Sequence, residues 1–88
     1  MKVKVKLFSS IRIQVGRGEL DLEIHEGATV SDLILSIENN YASQLGKVFK
    51  SKDGNYNFSI SVNNQKSGFD VVLKNGDTVA LLPPVSGG

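Results

Sequence analysis

Residues 26–41 read EGATVSDLILSIENNY. Val30, Leu33, Ile34, Ile37 and Tyr41 recur at the i, i+3, i+4, i+7 spacing that lines one face of an α-helix. Thr29 stands just before this run and Asp32 three residues later, the pattern of a capping box. Asp32 also lies where the helix dipole favours negative charge. Asn39 and Asn40 form helix poorly and mark its end. A helix with one apolar stripe must bury it against another layer. The sequence on either side supplies that layer.

Upstream, Met1, Val3, Val5 and Leu7 alternate with Lys2, Lys4, Lys6 and Phe8, the period of a strand with one buried face. Leu20, Leu22 and Ile24 alternate with Glu19, Asp21 and Glu23 in the same way and predict a second strand. The stretch between them is ambiguous. Ile11, Ile13 and Val15 alternate like a strand, whereas Phe8, Ile11 and Val15 fit one helical face. Gly16 and Gly18 then mark a turn. Downstream, Leu45, Val48 and Phe49 have the spacing of a short helix. Residues 50–57, KSKDGNYN, read as an exposed loop with a turn at Asp53-Gly54. Phe58, Ile60 and Val62 form a third strand, and Asn63-Asn64 can turn it, because Asn tolerates positive φ. Phe69, Val71 and Val72 make an apolar patch. Residues 74–77, KNGD, are a strong turn signal before a last strand, Thr78 to Leu82. The predicted order is strand, strand, helix, strand, short strand, strand. The last strand is expected beside the first near the centre of a mixed sheet, with the chain leaving from an edge of the sheet.

The bulk properties exclude more than they assign. The chain has 88 residues, room for a single small domain. A net charge of +1 gives no overall attraction to nucleic acid or anionic membrane, and cysteine is absent. Disulfides, thiolate metal sites and cysteine nucleophiles are thereby excluded. No stretch is long and apolar enough to span a bilayer, and the N-terminus lacks the apolar run of a signal peptide. A cytoplasmic protein is expected. His25 has no second ligand or nucleophile beside it in the pattern and reads as a strand-end residue. Gly16-Arg17-Gly18 fails as a dinucleotide fingerprint, because Asp21 holds the third glycine position. Lys2, Lys4 and Lys6 read as the solvated face of a strand, matched across the sheet by Glu19, Asp21 and Glu23. No acid–base pair, metal cluster or phosphate loop is in view, so a non-catalytic chain with no stably bound cofactor is expected.

What remains is the end, LLPPVSGG, residues 81–88. Pro83 and Pro84 cannot extend a sheet and favour a stiff, extended chain. Residues 83–88 could reach roughly 20 Å at about 3.3 Å per residue. Gly87 and Gly88 are costly to order, and suit a tip that enters a slot too narrow for a Cβ. The reading is thus a folded unit over residues 1–82 and a flexible tail over 83–88.

EGATVSDL, then SVNN, then LKNGDTVALLPPVSGG together resemble the ubiquitin-like sulfur carriers, most closely the molybdopterin-synthase small-subunit branch. The resemblance spans nearly the whole chain, and GDTVALLPPVSGG is its most specific part. It implies an α+β, β-grasp (ubiquitin-like) fold: a mixed four- to five-stranded sheet with one main helix packed on one face. It settles the ambiguous stretch, Ser10 to Val15, as a short helix. It implies that the Gly88 carboxylate is adenylated by an ATP-using enzyme of the ubiquitin-activating type, and converted to a thiocarboxylate by a sulfur donor protein. Gly87, Ser86 and Val85 would then enter a large catalytic subunit. Apart from the resemblance, Leu82, Pro83 and Pro84 are apolar residues at the exit of the tail and Phe8 points to the outer face by strand parity, so these four are expected to dock on that partner. One stretch, FKSKDGNYNFSISVNN, is longer than the compact molybdopterin-type pattern. Similar insertions occur in archaeal ubiquitin-like modifiers that also end in PPVSGG, so lysine attachment stands beside sulfur transfer, with RNA thiolation a further possible use.

Overall fold

The computed structural model describes residues 1–41, 43, 56 and 58–82. In chain order these form β1 (Lys2–Leu7), α1 (Ser9–Val15), β2 (Glu19–Glu23), α2 (Val30–Asn40), β3 (Ser59–Val62), β4 (Gln65–Ser67) and β5 (Thr78–Leu82). The strands make one sheet in the order β2-β1-β5-β3-β4. β1 and β5 run parallel at its centre, and the remaining pairs are antiparallel. This is the mixed sheet of the β-grasp expectation, with five strands and with α2 as the main helix.

Alternation sorts the two faces of the sheet. Val3, Val5 and Leu7 of β1, Leu20 of β2, Ile60 of β3, and Val79 and Leu81 of β5 turn inward. They meet Val30, Leu33, Ile34 and Ile37 of α2, all fully buried, and Ile11 and Val15 of α1. Tyr41, the last of the predicted stripe, is half-buried at the margin of this core.

The start of α2 is closed on every donor. The Thr29 hydroxyl accepts from the Asp32 amide at 3.3 Å, and Asp32 Oδ2 accepts from the Thr29 amide at 3.0 Å, completing the capping box. The amides of Val30 and Ser31 donate to the carbonyls of Val71 and Phe69, each at 2.9 Å. The first-turn amides that a helix leaves unpaired are therefore all satisfied by protein. None is free for an anionic ligand.

α1 is helical, as the resemblance implied. Its Ile11 and Val15, four residues apart, are buried, while Ile13 is 76% exposed. A strand would have put all three on one face. Gly16 ends the helix at φ 84°, a left-handed value that favours glycine. The turn signals also hold. Asn63 and Asn64, both at positive φ, join β3 to β4. In the KNGD turn, Asp77 Oδ2 accepts from the Lys74 amide at 2.8 Å. The short strand is Gln65–Ser67, and Phe69, Val71 and Val72 lie in the loop after it.

One expectation is corrected. The chain does not leave from an edge of the sheet, since β5 is flanked by β1 on one side and β3 on the other. A parallel partner for β1 must be reached by a long crossover, and that crossover brings β5 into the interior position. Leu82 therefore stands at the end of an interior strand. The helix expected over Leu45–Phe49 and the turn at Asp53-Gly54 lie outside the described residues, as does the tail, 83–88.

Candidate functional site

The site is built where β1 and β5 end side by side. Their parallel register pairs Lys6 with Ala80 and Leu7 with Leu81. Leu7 and Leu81 point into the core, so the residues beyond them, Phe8 and Leu82, share the opposite, outer face of the sheet. Phe8 keeps an extended backbone, φ −132° and ψ 157°, which continues the alternation of β1 for one residue before α1 turns away. Phe8 is 38% exposed and Leu82 37%, so neither side chain fully covers the other. Two of the four expected docking residues are thus brought together. The other two, Pro83 and Pro84, lie outside the described residues together with Val85, Ser86, Gly87 and Gly88.

Phe8 and Leu82 line a groove of about 510 Å³ on this face. Its walls also include Lys6, Ser59, Ser61, Asn64 and Lys66, with Ile60, Thr78 and Ala80. A second depression, of about 310 Å³, meets it at Lys6 and Phe8 and is completed by Leu7, Arg12, Gly18 and Glu19. A Cβ on Gly18 would come within 3.3 Å of Arg12 Nε, so glycine here leaves room for the Arg12 side chain to lie across the backbone.

The acidic stripe sits where cross-strand pairing requires. The register sets Lys2 against Glu23, Lys4 against Asp21 and Lys6 against Glu19. Glu19 nonetheless turns diagonally to Lys4, with Oε1 3.9 Å from Nζ. Both groups are about half exposed, so this pair adds little stability. Its consequence is that Lys6 is left facing the groove. Ser59, Ser61, Lys66 and Ala80 were not singled out in the sequence. Each is the outward neighbour of an inward-facing strand position, but assembling them needs the strand order.

The remaining candidates stay outside this site. His25 Nε2 lies 3.7 Å from Asp32 Oδ2 and is well exposed, at the mouth of α2. Gly16 and Gly18 shape the turn out of α1. Among the described residues, no group of three His, Asp or Glu side chains is placed to hold a metal ion. No helix among them is long and apolar enough to cross a membrane.

The chain is 32% identical over 88 residues to a protein of Chlamydomonas reinhardtii named molybdopterin synthase sulfur carrier subunit, with all of both chains covered. It is 26% identical over 92 residues to small archaeal modifier protein 3 of Haloferax volcanii, again with both covered in full. Its structure superposes on the putative molybdopterin converting factor subunit 1 of Pyrococcus furiosus with a TM-score of 0.80 and 38% identity, covering 97% of this chain and 99% of that one. The pattern of the ThiS family matches residues 5–88, nearly the whole chain including its last residue, and the chain belongs to that family of ubiquitin-like, β-grasp sulfur carriers.

Proposed function

We propose that this chain carries sulfur as a thiocarboxylate on Gly88 and delivers it, as the small subunit of a molybdopterin synthase, to a pterin precursor. The observation that carries this reading is the family match running through Gly88, together with full-length similarity to a sulfur carrier subunit. The fold fits the task. An interior strand, β5, is held on both sides and ends at Leu82, so whatever follows starts from a rigid base.

The chemistry is supplied by partners and received by the chain end. A carboxylate is a poor acyl donor. An activating enzyme joins the Gly88 carboxylate to the AMP portion of ATP and releases pyrophosphate. Hydrosulfide from a sulfur donor attacks the acyl carbon, the bond to the AMP oxygen breaks, and AMP leaves. Loss of the thiol proton then gives the thiocarboxylate. In the synthase, Val85, Ser86 and Gly87 enter the large subunit while Phe8, Leu82, Pro83 and Pro84 rest on its surface. This chain binds the partners and presents the sulfur; it provides no catalytic side chain. In this reading the chain works in the cytoplasm.

A second reading is favoured by the full-length similarity to a small archaeal modifier protein. In it the same adenylate is attacked by a lysine amine, giving an isopeptide. One experiment separates the two. The chain is incubated with ATP, the adenylating enzyme of its own organism and sulfide, and its mass is measured. Carrier function gives a gain equal to the difference between sulfur and oxygen, mapped to Gly88. Lysine conjugates without thiocarboxylate under any sulfur supply would replace the first reading by the second. Failure to form an adenylate would remove both.

A further inference from the structure

The register across four strands puts one row of residues straight over the outer face. Lys6 pairs with Ala80, Ala80 with Ser61, and Ser61 with Lys66. The two lysines thus stand at opposite ends of a floor made of an alanine and a serine. Three strand spacings separate their backbones, about 14 Å at about 4.8 Å each. The next row, Phe8, Leu82 and Ser59, supplies an apolar flank. An α-helix is about 10–12 Å across with its side chains. A helix laid on the small residues of the floor would pass between the lysines with its apolar stripe against Phe8 and Leu82.

Charge defines what that helix must carry. Among the described residues, neither Lys6 nor Lys66 has a carboxylate within ion-pair distance; beside Lys6 the Glu19 carboxylate is turned to Lys4, and Lys66 stands on β4 at the far edge of the sheet. Arg12 adds a further cation beside Phe8 without a carboxylate partner. A nucleic acid would also seek cations, but Glu19, Asp21 and Glu23 line the adjoining strand on the same face and would repel a polyanion longer than the groove. The apolar flank has no use in binding phosphates either.

We infer that the outer face of the sheet is a docking groove for an amphipathic α-helix of a partner protein, one whose apolar stripe is bordered by Asp or Glu. Lys6 and Lys66 select its charge, while Phe8 and Leu82 take its apolar side chains. The inference rests on the docking face of the reading above, and is independent of any chemistry at Gly88. It names the chemical class of partner that this face accepts.

The test uses the intact chain, isotopically labelled, and amide NMR. The probe is a synthetic helical peptide with a Leu/Phe stripe flanked by Glu. The controls are the same peptide with Gln for each Glu, and a single-stranded oligothymidylate. The acidic peptide is expected to shift amides of Lys6, Phe8, Ser61, Lys66 and Leu82. Replacing its Glu by Gln should weaken binding several-fold, and raising salt from about 0.02 M to about 0.3 M should do the same. Lys6→Gln and Lys66→Gln should each weaken the acidic peptide roughly two- to fivefold and leave the Gln peptide unchanged. Both lysines are exposed, so neither change endangers folding, and unshifted core amides verify this. Equal binding of the two peptides would overturn the charge selection, and shifts confined to another face would overturn the groove. Oligothymidylate binding at this face in preference to the acidic peptide would replace a helix by nucleic acid. None of these outcomes touches the mass gain at Gly88, which tests the sulfur-carrier reading separately.

Discussion

The Tyr56 hydroxyl donates to Glu38 Oε1 at 2.6 Å, tying a residue just before β3 to the side of α2. Its ring packs near Phe58 and stacks on Phe69, at centroid distances of 5.3 and 5.5 Å. Partial desolvation, then the bond to Glu38, then the charge of Glu38 hold the phenol protonated and raise its pKa from 10 to about 12. The folded state therefore binds the proton more tightly than the unfolded state. The resulting stability is present below pH about 10 and is lost as pH rises through about 12. In an alkaline absorbance titration Tyr56 should ionise with a midpoint near 12, and Glu38→Gln should move that midpoint down, part-way toward 10 because the desolvation remains. The same midpoint in both proteins would show that Glu38 does not act on Tyr56. Asp32 works in the opposite direction. Chiefly because it accepts the Thr29 amide, its carboxyl is held below the ordinary value; desolvation is the next effect and works against this, while the Thr29 hydroxyl and His25 add weaker lowering. Its contribution exists above the usual carboxylate range and is lost as pH falls through the lowered value. The melting temperature of the parent should exceed that of Asp32→Asn at neutral pH, with the gap closing in acid. Thr29→Ala, which removes the other half of the box, should cost about 0.5–2 kcal/mol in chemical denaturation.

At the level of elements, α2 was legible in the sequence because two independent signals coincide there: a capping box and an unbroken apolar stripe. β1 and β2 were legible from period two, and both Asn63-Asn64 and KNGD from their turn chemistry. α1 was not legible from its residues alone. Ile11, Ile13 and Val15 satisfy the strand period, and nothing local says that Ile13 will face water; packing of Ile11 and Val15 onto the core decides it. The resemblance supplied the correct answer there. The prediction that follows is a contrast within one helix. Ile11→Ala should cost about 2–5 kcal/mol, whereas Ile13→Ala should stay within about 0.5 kcal/mol of the parent in denaturant midpoints. Equal costs would mean that the segment packs as a strand. The outer groove was half legible. Phe8 and Leu82 follow from alternation, but the row Lys6–Ala80–Ser61–Lys66 joins residues as far apart in sequence as β1 and β4, and only the strand order aligns them.

Across the whole molecule, the fold separates what holds it together from what it presents. The first and last strands pair in parallel at the centre, so the core closes only when both ends of the domain have met. Every described core side chain lies at or before Leu81. Leu82, the next residue, already faces outward. Stability and the proposed activity should therefore respond to different positions. Leu33→Ala empties a fully buried site between α2 and the sheet and should cost about 2–5 kcal/mol, a large share of the roughly 5–15 kcal/mol that stabilises a typical domain. It should lower the melting temperature markedly, while chains still folded at low temperature are adenylated at the parental rate. Deleting Gly87 and Gly88 removes none of the described core and should leave the melting temperature nearly unchanged, yet abolish adenylation by the cognate enzyme, since the carboxylate then sits two residues short of its place. Adding one residue after Gly88 should do the same from the other side. Calorimetry and a pyrophosphate-release assay on the same preparations measure the two responses. A deletion that melts as early as Leu33→Ala would make the last two residues part of the fold, and a deletion still adenylated at the parental rate would remove Gly88 as the reactive position.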